Sequence, residues 1–337
     1  MTKLIEVNYL RAIAIISIVV CHCFCCPTYV WGLLEPSNYT ELISKISTFL
    51  FPEANMPLFT CLSGYLFSYL YTQKKTAYSS FKLLLKNKFH RLVVPFLVIG
   101  TIGTLVVPER PWTGIYWGDG SSMWFCIMLF WCTLLRWLIV RYSKSKAINC
   151  IIFIVCSSFY ILMPIYALPH WTMGIPTGLL CFSRTFFYYP FFVIGDILYK
   201  YRPRLSDMSW SIWVIVFILY LATGYVAIQE IGILSYICIK MLPLFLIFLL
   251  FALFVKLVDT KRCMGGAFLD RFCLYSFGIY AFHEEISWTC YHSSFFQIIF
   301  RDSPFVFATL FTCIVLIVCY MATHYCLKTK VGKYLLS

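Results

Sequence analysis

The sequence predicts an all-α, polytopic membrane protein with about ten transmembrane helices and both termini in the cytoplasm. Three observations carry this. Of the 337 residues, 61% are hydrophobic and only 12% charged, against roughly a quarter charged in soluble domains, and the mean hydropathy is +0.82. The apolar residues come in continuous runs of bilayer-spanning length, not in the alternation a membrane barrel requires. The basic residues fall almost wholly on one side of those runs.

The runs centre near residues 8–27, 47–71, 90–107, 122–141, 147–166, 183–200, 210–228, 232–256, 272–290 and 304–326. The first continues beyond a signal-peptide core and shows no small-residue cleavage site, so it reads as an uncleaved span. With the N-terminus inside, 22 of the 27 Lys and Arg residues collect on the cytoplasmic side, among them Lys82, Lys86, Lys88, Arg91, Arg136 and Arg141. Lys45, Arg110, Arg184 and Arg301 fall on the other side, and Lys240 lies within a span. This is the positive-inside distribution. It accounts for the net charge of +13, and no nucleic-acid partner is expected. Inter-span stretches reach only about 20 residues, too short for a separate soluble core. Residues 1–337 therefore read as one integral-membrane domain.

The run CHCFCC, residues 21–26, poses a choice between a metal cluster and one working histidine among apolar thiols. Successive helical residues turn about 100°, so the thiols surround the helix, and the one nearest in direction to His22 is Cys26, four residues on. Two ligands do not make a tetrahedral zinc site, and no metal is expected. The other cysteines of the 17 lie mostly inside apolar runs, where a thiol behaves as a small hydrophobe.

His22 is different. Arg11 lies about 16 Å before it along a helix and within roughly 20° of the same direction, and Asn8 joins that face within about 40°. A polar stripe thus begins at the cytoplasmic surface with a guanidinium and ends deep in the membrane with an imidazole. Intramembrane ionisable groups are costly and default to a functional reading.

The segment NYLRAIAIISIVVCH at 8–22 resembles the first span of membrane acyltransferase family 3, whose hallmark is an Arg followed by ten residues and a His. MPLFTCLSGYLF at 56–67, KFHRLVVPF at 88–96, MWFCIMLFW at 123–131, YYPFFVIGDIL at 188–198 and SFGIYAFHE at 276–284 are similar to later family segments, in family order. The wording of the second span is closest to the sugar and exopolysaccharide O-acetyltransferase branch. There are departures: Asn8 and Ala12 where an acidic residue and Gly are frequent, Ser122-Met123 before Trp124 where His-Leu is common, and Asp196 after Gly195 where an apolar residue is usual.

The resemblance implies an O-acyltransferase of the cell membrane. It would use cytoplasmic acyl-CoA, by family habit acetyl-CoA, as a co-substrate with no permanently bound cofactor. The acceptor would be a hydroxyl of a cell-surface or lipid-linked glycan. His22 is the expected general base or acyl carrier, and Arg11, with Lys88 and Arg91, is expected to meet the donor's phosphates. Glu53, Ser63, Tyr65, Trp124 and His283 are candidates for the acceptor pocket, each with a plain alternative as an intrabundle hydrogen bond or a packing residue. Gly64 reads as a site of close helix approach. A polysaccharide transporter is the competing reading, disfavoured by the lack of a visible internal repeat.

Overall fold

The computed structural model describes residues 4–25, 33–34, 41–42, 45–46, 55–73, 78, 80–106, 123–143, 145–162, 181–229 and 232–336, and among these it is all-helical. The principal helices are α1 (Ile5–Phe24), α2 (Asn55–Gln73), α3 (Phe81–Lys88), α4 (Val94–Val106), α5 (Trp124–Tyr142), α6 (Lys146–Leu162), α7 (Phe182–Lys200), α8 (Trp210–Ile228), α9 (Gly232–Asp259), α10 (Ala267–Tyr291), α11 (Ser294–Asp302), α12 (Pro304–Cys326) and α13 (Lys330–Leu336). Every apolar run read from the sequence carries a helix. Among the described residues, six are long and apolar enough to cross a membrane: α1, the continuous Phe81–Leu105, α5, α8, α9 and α12. Their surfaces are inverted relative to a water-soluble protein. Ile215 and Ile218 on α8 and Ile314 and Ile317 on α12 are exposed, a pattern that suits lipid rather than water.

Local chemistry sets several boundaries. Ser80 accepts from Leu83 N at the start of α3, and Ser209 accepts from Ile212 N at the start of α8, the usual N-cap contact. Pro304 opens α12 where its missing N–H costs nothing. Gly232 begins α9 at φ +52°, a left-handed conformation that glycine adopts without a Cβ clash. Between α3 and α4 the chain forms a π turn, Phe89–Val93. Pro95 follows it; a proline ring clashes with the carbonyl four residues back in a regular helix, and the wider turn relieves that.

The chain divides into two compact units, residues 1–55 with 204–337, and residues 56–203. In the first, α1 packs against α9, α10 and α12. Asn8 donates to Asp270 Oδ1 (2.9 Å), and Tyr291 OH donates to Cys23 O (2.6 Å). Low numbers thus meet low numbers and high meet high, so α1 and α10 run parallel. α12 runs antiparallel to α10: Tyr275 OH pairs with His324 Nδ1 (2.8 Å), and Tyr291 stacks edge-on against Phe311. α8 and α9 form a hairpin around Tyr220, Ala227, Leu242 and Leu249.

In the second unit α7 packs against α5 and α6, and two motif glycines join it to α2. A Cβ on Gly64 would lie 1.9 Å from Phe192 O, and one on Gly195 would lie 1.9 Å from Cys61 O. The two backbones touch, as the small residue at 64 suggested.

Candidate active site

The first unit carries the histidine predicted to be catalytic. Both Arg11 and His22 turn toward α10: Arg11 is within electrostatic reach of Cys273, and the His22 ring lies 4.7 Å from that of His283, centroid to centroid, at 51°. The predicted shared face of Asn8, Arg11 and His22 is therefore the face α1 presents to its parallel neighbour. Arg11 and His22 are half-buried, whereas His283 is 1% exposed.

His283 Nδ1 donates to Tyr280 O (2.7 Å) and lies 3.2 Å from Ile279 O, both in the preceding turn of its own helix. The ring is thereby held with its bare Nε2 directed away from that turn. The adjoining turn is tied to α1 as well: Cys23 Sγ and Ser287 Oγ are 4.0 Å apart, and Tyr291 OH satisfies the Cys23 carbonyl near the end of α1. Further along α1, Ser17 Oγ donates to Asn55 Oδ1 (2.5 Å). Among the described residues, no group of three or more His, Cys, Asp or Glu is placed to hold a metal.

The second unit holds two of the three predicted donor residues, Lys88 and Arg91; Arg11 is in the first. Lys88 and Arg91 line a cavity of about 470 Å³ together with Lys86, Asn87, His90 and Tyr78, a volume within the usual range for small-molecule sites. The π turn shifts the helical phase at His90 and Arg91, and such turns recur at functional sites. Tyr78 is fixed by Trp137 Nε1, which donates to its carbonyl (3.0 Å), and Lys88 Nζ lies 5.8 Å from the Tyr78 ring centroid. Burial pushes the Tyr78 phenol up to about 12 despite the opposing charge of Arg91, so the hydroxyl stays neutral at physiological pH. The arrangement is a concave surface with several cations, an amide and an aromatic ring, chemistry suited to a phosphorylated nucleotide.

The remaining candidates divide. Trp124 stacks under Arg184, whose Cζ is 4.5 Å from the ring centroid, with Tyr188 at 5.6 Å, ring to ring. Ser63 Oγ donates to Phe59 O one turn back (2.9 Å), and Tyr65 is fully buried with its ring edge-on to Tyr199. These two residues flank the Gly64 contact, Ser63 half-buried and Tyr65 buried. Glu53 lies outside the described residues, as does Ser122.

Arg136, counted by sequence among the charges of the cytoplasmic side, is buried within α5 and paired with Asp196 of α7. Lys200, one turn beyond Asp196, shares the carboxylate at 2.8 Å. The signal was present: Arg136 sits inside the apolar string LLRWLIV, and Asp196 inside the apolar string FFVIGDIL. Arg184 was likewise read only as an outer-side charge, and nothing local to its sequence announced the stack on Trp124.

Comparison with curated proteins and with solved structures finds no match. Comparison with protein families finds the acyltransferase domain of family 3 over residues 4–324, nearly the whole chain and spanning both units. With the Arg11–His22 stripe and the basic cavity formed by residues of the matched region, the chain belongs to acyltransferase family 3.

Proposed function

We propose that this membrane acyltransferase moves an acyl group, acetyl by family habit, from cytoplasmic acyl-CoA to a hydroxyl of a cell-surface or lipid-linked glycan. The single observation that carries the reading is the placement of Arg11 and His22 on one buried-facing stripe of α1, with His22 against a second imidazole. In the reaction, His22 takes the proton of the acceptor hydroxyl as its oxygen attacks the thioester carbonyl. The new O–C bond forms, the C–S bond breaks, and the proton passes to the departing CoA sulfur. Imidazole suits this exchange because its neutral form accepts a proton near physiological pH.

Within the second unit, the basic cavity around Lys88 and Arg91 supports binding of the donor's phosphates. Trp124, Arg184 and Tyr188 form an aromatic and cationic surface on which a sugar ring stacks. Ten spans with both termini in the cytoplasm complete the reading. It is supported by the parallel course of α1 and α10 and the reversal at α12, as a first, ninth and tenth crossing require.

The test is transfer of label from acetyl-CoA by membranes containing the chain together with a glycan-bearing lipid fraction. His22→Ala should abolish labelling of the acceptor while the protein still accumulates. Labelling that survives this substitution retires His22 as the base; label-free acceptor moved across the bilayer by the unaltered protein would favour a transporter.

A further inference from the structure

His283 is nearly sealed from solvent, yet its Nε2 has no hydrogen-bond partner among the described residues. A buried acceptor left unmet is costly, and such groups call for a reason. Nδ1 of the same ring is committed as a donor to Tyr280 O, so Nε2 is a bare lone pair in the neutral ring. Two nearby polar contacts are closed on themselves, Cys23 with Ser287 and Tyr291 with the Cys23 carbonyl, and Glu284 lies within electrostatic reach of the ring. What stands opposite is the His22 ring at 4.7 Å, whose own Nδ1 is also shut off from solvent.

We propose that His283 is a positioning residue for His22. Its Nε2 accepts the Nδ1–H of His22 after a small rotation of the rings, which selects one His22 tautomer and leaves His22 Nε2 as the proton acceptor. This rests on the reading of His22 as the general base. When the acceptor hydroxyl gives its proton to His22 Nε2, the ring becomes an imidazolium, and the Nδ1–H that faces His283 strengthens as a donor. His283 gains no proton; the proton leaves His22 Nε2 for the CoA sulfur as the C–S bond breaks. The rigid anchor to Tyr280 matters because a ring free to flip would offer an N–H to His22 instead of a lone pair.

Diethyl pyrocarbonate tests this without any acceptor, since it acylates a bare imidazole nitrogen directly. The full chain in phosphatidylcholine–phosphatidylglycerol vesicles is treated as wild type, His283→Gln and His283→Leu. Ethoxycarbonylation of the His22 peptide is followed by mass spectrometry, with exposed His292 as the internal reference. The Leu variant should label His22 about fivefold more slowly, the change one hydrogen bond confers, and the Gln variant, whose amide oxygen still accepts, should stay near wild type. Equal or faster labelling in the Leu variant, or a Gln variant as slow as Leu, overturns the positioning role. Neither result bears on whether His22→Ala abolishes acyl transfer, so the two readings fail separately.

Discussion

Arg136 of α5 and Asp196 of α7 form an ion pair inside the second unit, with side chains 9% and 3% exposed. Two charges removed from water attract each other strongly only while both are present, and either one alone is left in a poor solvent. Lys200, about half exposed, gives Asp196 a second partner that Arg136 does not share.

The first prediction follows from that asymmetry. Asp196→Asn strands Arg136 and should destabilise the protein by about 3–5 kcal/mol. Arg136→Met leaves Asp196 with Lys200 and should cost less. The double variant Arg136→Met/Asp196→Leu should recover much of the loss. Thermal unfolding in detergent, read as a double-mutant cycle, decides; additive losses would mean the pair is not coupled.

Gly64→Ala and Gly195→Ala each place a methyl group where a backbone carbonyl of the facing helix already sits. Backbone cannot rotate away as a side chain can, so each should cost at least about 1–3 kcal/mol. The same readout checks this, and a variant that unfolds at the wild-type temperature would contradict the contact.

Binding of a non-hydrolysable acetyl-CoA analogue should weaken about tenfold for Lys88→Ala or Arg91→Ala, the loss of roughly one charge-assisted contact. Raising the salt concentration should narrow the difference, because these are exposed or half-exposed cations. If the residues only anchor the helix at lipid headgroups, affinity for the analogue will be the same in all three proteins.

Orientation is open to a direct measurement. A fluorescent protein fused after Ser337 should fold and emit, and alkaline phosphatase at the same point should stay inactive, as a cytoplasmic C-terminus requires. The reverse pattern would turn the whole bundle over and place the cavity at Lys88 on the side without acyl-CoA.

The sequence by itself determined where the helices lie and that Asn8, Arg11 and His22 share a face, because hydropathy and a turn of about 100° per residue are properties of a local stretch. It also marked Gly64 as a place for close approach, since an absent side chain is legible wherever it occurs. Tertiary structure alone decided that the shared face is turned to α10, that His22 meets His283, that Arg136 pairs with Asp196, and that Arg184 lies on Trp124. Nor could local pattern show that the Tyr65 ring lies edge-on to Tyr199 of a distant helix. Helical periodicity says which residues look the same way; what they look at depends on how the other helices pack, and those partners stand far along the chain.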